Sequence, residues 1–267
     1  MKLSISNIAW EQHQDKIIYN LIKSYGFEGI ELAPTRLFKD PLKVLDKEIE
    51  EYLRYINFYN LSLPAMQALL FGRPELKVFD DSREYTLGYL KNLIDLGVKL
   101  GVKVLVFGSP KNRFIGDMDR KRAYEIAIDF FYELGEYAYA RNRYFCIEPN
   151  AKEYGCDFIT NTDEAVELIK DVDSKGFMLH IDSAVLTMNK ENIEDSLTKA
   201  SRYMKHFHIS EPFLKLITDA KTDHHMCCKI LKNLNYNQWV SVEMKNNLLE
   251  SNIKAIEDVV RYVSKIY

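Results

Sequence analysis

The chain has no long hydrophobic run. Nothing in its 267 residues approaches the roughly 20 uninterrupted apolar residues of a membrane span. The opening segment, MKLSISNIAWEQHQDK, lacks the apolar stretch of a secretory leader. The expectation is a cytoplasmic protein with no membrane partner. Cysteine pairs of the CxxC kind are also missing: Cys146, Cys156, Cys227 and Cys228 stand alone or adjacent, which suits reduced thiols better than a disulfide framework. A strong charge of either sign is absent, the formal balance being -3, so nothing draws the chain to polyanions and no nucleic-acid partner is expected. No Pro/Ser/Gly-rich linker breaks the sequence, and residues 1–267 read as a single domain. Glycine is scarce, with 11 residues, and SNIAWEQH after the first strand candidate contains none, which argues against a dinucleotide-binding sheet.

What the chain does have is one pattern repeated eight times: a short β-rich run followed by a segment of helical period. The strand candidates begin near Leu3, Gly29, Leu63, Val102, Tyr144, Phe177, Met204 and Trp239. Their spacing averages about 33 residues, the length of one βα unit. Between them, apolar residues recur at three- and four-residue steps, as in Ile17, Ile18, Leu21, Ile22 and Tyr25, which Gly26 stops, and in Val166 and Ile169 behind the capping candidates Asn161 and Thr162. Pro64 inside the third candidate is awkward, because proline donates no ladder hydrogen bond. Eight βα units in a chain of this length predict the α/β class and a single (β/α)8 TIM barrel.

Active-site residues of such a barrel sit at the C-terminal strand ends. Four consecutive units end an apolar run with a metal-capable side chain: Glu148 in FCIEPN, Asp182 in LHIDS, His208 in HFHIS and Glu243 in VSVEM. They are 34, 26 and 35 residues apart, about one unit each, so they can converge on one side of the mouth. A single acid at a strand end could merely cap the following helix. Three carboxylates and an imidazole in one poorly solvated mouth repel one another unless a cation joins them. The oxygen-rich set suits one divalent ion, Mn2+, Mg2+ or Co2+, with Zn2+ also possible. Strand alternation places Cys146, His180, His206 and Ser241 one layer below.

GFEGIEL in the second unit, LGVKVLVFGSPKNR in the fourth and the ordered Glu148, Asp182, His208, Glu243 set resemble the xylose isomerase-like barrels of sugar and sugar-phosphate isomerases and epimerases, a group that includes the endonuclease IV branch. The resemblance spans nearly the whole chain. It implies a metal that chelates a carbonyl and a neighbouring hydroxyl of an open-chain sugar, sugar phosphate or polyol derivative. Glu148 and Glu243 would then exchange the proton through an enediolate, with Asp182 and His208 as pure ligands. Two departures stand out: Val185 and Leu214 occupy places where ketose 3-epimerases carry a substrate-binding histidine and arginine. An inosose-type dehydratase on the same metal is the alternative. An abasic-site endonuclease is disfavoured because Gln67 and Gly108 stand where that branch carries histidines, and a non-catalytic sugar-binding barrel is disfavoured by the complete ligand set.

Further pocket candidates follow from position. Glu31 ends the second strand and matches the family acid; Gln67 ends the third; Arg113, with Lys111 and Asn112, could hold a phosphate or carboxylate after the fourth. Asn150, Glu211 and Lys245 lie within three residues of a ligand, and Trp10 and Phe71 could line the mouth. The cluster Asp223, His224 and His225 reads as a loop feature. Barrels of this kind often form homo-oligomers, and the partner expected for the pocket is a small carbohydrate.

Overall fold

The computed structural model describes all 267 residues, Met1–Tyr267. Eight strands form one parallel sheet: β1 (Lys2–Ser6), β2 (Gly29–Glu31), β3 (Ala65–Met66), β4 (Val104–Phe107), β5 (Tyr144–Ile147), β6 (Phe177–Asp182), β7 (Met204–Ser210) and β8 (Trp239–Glu243). They run in the order β2-β1-β8-β7-β6-β5-β4-β3. The remaining seam, β2 to β3, closes through isolated bridges at Gly29 with Ser62 and Leu32 with Met66. Backbone bonds there, Ile30 N–H to Ser62 O and Gln67 N–H to Leu32 O, finish the barrel. All eight strands fall where the spacing predicts them.

The third strand is the weakest element, and Pro64 explains it. It is only two residues long, beginning immediately after the proline whose ring cannot donate to the ladder. The Pro64 carbonyl still accepts from the Val104 N–H at 3.3 Å, so the chain stays in register up to β4. At the seam Gly29 is forced by contact: a Cβ there would lie 2.7 Å from the Trp239 ring.

Every strand is followed by helix. The expected amphipathic segments appear as Asp15–Ser24, Asp46–Phe58, Arg83–Lys99, Arg120–Tyr139, Thr162–Val172 and Asn252–Ile266, with Ser183–Met188, Ile193–Ala200 and His224–Asn233 in the sixth and seventh units. Asn161 caps the fifth unit's helix by accepting from the Glu164 N–H, and Gly26 takes the left-handed conformation past the first. The main apolar core lies between the outer strand faces and these helices, where Phe107, Phe131, Phe145 and Phe177 pack ring against ring. A separate small cluster of Ala65, Val104, Val106 and Cys146 fills one side of the barrel interior. The other side is polar, and the site is built on it.

Candidate metal centre

A register irregularity aligns two of the four residues. β6 and β7 pair as Leu179 with Met204, but then shift, so that His180 faces His206 and Asp182 faces His208. Continued without the shift, the first pairing would set Asp182 against Phe207, which points outward into the apolar core. The extra residue in β7 re-aims the histidine, as β-bulges beside functional sites do.

Asp182 Oδ1 is committed to the fold: it accepts from Ser210 Oγ at 2.7 Å and from the Val185 N–H at 3.0 Å, capping the helix Ser183–Met188. Its Oδ2 lies 3.8 Å from His208 Nδ1. Glu243, the last residue of β8, brings Oε2 to 3.2 Å from the same nitrogen. That nitrogen is buried and makes no hydrogen bond. The other ring nitrogen, Nε2, is held by Glu31 at 2.9 and 3.0 Å. Glu31 also contacts His206 Nε2 at 3.1 Å and is itself wholly buried. A carboxylate that fixes one histidine nitrogen leaves the other oriented as a ligand, the usual outer support of metal-bound histidine.

Glu148 enters from beyond β5, where its N–H still bonds Phe107 O. Its Oε1 accepts from Asn150 Nδ2 at 3.0 Å. Its Oε2 lies over Gly108, the residue after β4, where a Cβ would approach to 2.5 Å, so a side chain there would displace the carboxylate. Glu148, Asp182 and His208 can each place one ligand atom within 4.8 Å of the others, and Glu243 adjoins the same histidine.

The electrostatics describe a crowd of buried acids around one imidazole. Burial, then the charges of Glu243 and Asp182, push the Glu148 carboxyl up to about 8. Burial likewise raises Glu243. Burial disfavours a charged His208, yet Glu31 and Glu243 outweigh it and hold this imidazole protonated well above the ordinary histidine range. The buried Glu31 is correspondingly kept ionised by His208 and His206. In the absence of metal the mouth therefore retains protons at neutral pH that a bound divalent ion would displace. Three carboxylates and a free imidazole nitrogen fit a hard divalent cation.

The pocket candidates divide. Arg113 does not face the mouth as an anion contact: it is fully buried, and its guanidinium donates to the carbonyls of Phe107, Glu148 and Ile159 and to Asn150 Oδ1. It stitches the loops after β4 and β5. Glu211 is spent on the N–H groups of Lys221 and Thr222 and on His224 Nε2. His224 and Asp223, which caps His224–Asn233, are therefore structural. Asn150 supports Glu148, Gln67 donates to Ser6 Oγ at 2.9 Å, and Lys245 is exposed at the rim. Trp10 is buried with its N–H on Asp15, whereas Phe71 is 70 % exposed. His206 and His180 are interior, as alternation predicts, but only His206 touches Glu31. Burial drives the pKa of His180 well down, and neither of its ring nitrogens has a partner. Ser210 and Gly108 were not among the sequence candidates. Ser210 shares the inward face of β7 with His208, so alternation alone contains its signal.

A model of the family described as "Xylose isomerase-like TIM barrel" matches residues 19–266. This chain belongs to the xylose isomerase-like TIM-barrel family. Among individual members, a D-psicose 3-epimerase of Ruminiclostridium cellulolyticum is 22% identical over 266 residues, covering 97% of this chain and 90% of its own. Solved structures of the same shape include a D-psicose 3-epimerase with D-tagatose from Clostridium cellulolyticum H10, at TM-score 0.83 and 18% identity, covering 100% of this chain and 99% of the other. The apo 3-keto-D-glucoside 4-epimerase from E. coli superposes at TM-score 0.82 with 18% identity, covering 99% of both chains. At such identities the structural likeness speaks for the family fold, and the family match sets the four strand-end residues in a barrel whose relatives include sugar epimerases.

Proposed function

We propose that this chain is a divalent-metal-dependent isomerase or epimerase of a small sugar or polyol derivative. The observation that carries the reading is His208, with Nε2 locked by Glu31 and Nδ1 free between Asp182 and Glu243. Glu148, Asp182, His208 and Glu243 hold the ion, for which Mn2+, Mg2+ and Co2+ suit the donors. The ion supplies positive charge beside the substrate carbonyl, which lowers the cost of removing the neighbouring proton. Glu148 and Glu243 approach from β5 and β8, on either side of the β6–β7 pair, so one carboxylate can take a proton and the other return one. Gln67 and Lys245 remain available to substrate, while Glu31, Asn150, Arg113 and Glu211 hold the walls. The burial of Arg113 takes away one cation that a phosphate could have met. No helix is long and apolar enough to cross a membrane.

The test is turnover by the Mn2+-loaded protein in D2O of D-psicose, D-fructose, D-tagatose, L-ribulose, 3-keto-D-glucosides and the corresponding phosphates. Isomer exchange with deuterium uptake is the expected result. Loss of water would move the reaction to the dehydratase class, and a metal-loaded protein inert to the whole panel would sink the reading.

A further inference from the structure

The mouth carries one feature that neither the ligands nor the fold requires. Phe213 and Leu214, consecutive and neither of them glycine, both adopt the left-handed conformation, with φ of 63° and 55°. Such backbone is costly for side-chain-bearing residues and persists only where neighbours hold it. Three bonds do so. The Phe213 N–H donates to Tyr154 Oη at 2.9 Å, the Leu214 N–H donates to Glu211 O at 2.9 Å, and Leu214 O accepts from the Lys245 N–H at 3.1 Å. The rings of Tyr154 and Phe213 meet edge to face at 5.6 Å.

These contacts tie together the loops after β5, β7 and β8. Since β6 lies between β5 and β7, a link from Tyr154 to Phe213 straddles the strand end that carries Asp182. Tyr154 lies six residues past Glu148, Phe213 five past His208 and Lys245 two past Glu243, so each anchor of the strap follows a ligand closely. Burial, and then the nearby charges of Asp182, Glu243 and Glu148, raise the pKa of the phenol, so it stays protonated. Its oxygen accepts from the Phe213 backbone, and its own O–H has no acceptor within the protein. The Phe213 ring is half exposed, an apolar face at the rim that contributes nothing to the core.

We propose that Tyr154 and Phe213 form the substrate-recognition wall of this mouth: the Tyr154 hydroxyl donates to an oxygen of the bound sugar, and the Phe213 ring packs on its C–H face. The strained turn is what aims the ring. Recognition by an uncharged donor and an aromatic face selects a neutral polyhydroxylated carbonyl compound over its phosphate. This inference rests on the reading of the centre as a sugar-transforming site.

The experiment compares the full-length Mn2+-loaded protein with Y154F and F213G on whichever of D-psicose, D-fructose, D-tagatose, L-ribulose or a 3-keto-D-glucoside the unaltered protein turns over fastest. Y154F removes only the hydroxyl. F213G removes the ring while supplying the residue best suited to the left-handed backbone, so it keeps the turn. The expected result is a KM raised about tenfold in each, the scale of one lost polar contact, with kcat and Mn2+ affinity little changed. Variants that match the unaltered protein in KM overturn the proposal while leaving the proposed function standing. So do variants that lose Mn2+ affinity and thermal stability together at unchanged KM, since they show a purely structural strap. Failure of the unaltered protein on all five compounds overturns the wall, and failure on their phosphates as well overturns the function with it.

Discussion

The two halves of the barrel interior are built on opposite principles. Across β3, β4 and β5 the inward side chains are Ala65, Val104, Val106 and Cys146, a dry plug. Across β6, β7, β8, β1 and β2 they include His180, His206, His208, Ser241, Ser4, Ser6 and Glu31, all buried and all polar. Parallel barrels ordinarily fill their interior with branched apolar residues. The polar half forgoes that stabilisation to place a charged Glu31 under His208, and a buried charge of this kind is tolerated only because it is paired. The plug stabilises the barrel; the polar half orients it toward chemistry. Glu148 marks the boundary, standing on the plug's strand but leaning over Gly108 toward the acids of the other half.

The largest test of this contrast is H208A. It should abolish bound divalent metal, read by elemental analysis, and reduce turnover by about 10^3-fold or more, the scale of losing the main electrostatic stabiliser. Next comes E31Q, which never touches the metal. It leaves the neighbouring imidazoles without their counter-charge, so metal affinity should drop about 10- to 100-fold. Stability should drop by about 3–5 kcal/mol, as when a buried pair loses one partner; calorimetric titration and denaturant melts read the two effects, and unchanged metal affinity would refute Glu31 as the orienting group. On the dry side, V106A should cost about 2 kcal/mol in stability through lost packing while metal affinity stays as it was. A large fall in affinity there would erase the distinction between the halves.

The smallest effect is a pH dependence. The Glu148 carboxyl moves from its ordinary 4.5 up to about 8 on folding, through burial and then the neighbouring acids. Between those values the metal-free folded chain holds a proton that the unfolded chain has lost, so its Tm should fall as pH rises from about 5 to 8. Saturating Mn2+ should flatten or reverse that slope, because the ion replaces the proton. A metal-free Tm that climbs across this range would contradict the buried, mutually repelling acids.

Much of this architecture is legible in the chain itself. Repeating units announce a barrel because each strand and helix must bury one face, and burial imposes its period on the residues. The four candidate ligands were legible for a similar reason, since each ends an apolar run at the same place in its unit. Arg113, Glu211 and Trp10 were not. All three look like mouth residues by position, yet Arg113 is spent on carbonyls up to 46 residues away, Glu211 on the loop that follows it, and Trp10 on Asp15. Partners recruited across loops leave no periodic trace in the sequence.

The architecture, and the strand end on which each candidate ligand stands, were thus readable from local patterning and side-chain identity alone. Only the tertiary structure decided which nitrogen of His208 is free, that a bulge between β6 and β7 brings it beside Asp182, that Gly108 makes room for Glu148, and that Tyr154 meets Phe213 over the mouth. Each of those depends on register and loop geometry, where a shift of one residue turns a side chain to the opposite face.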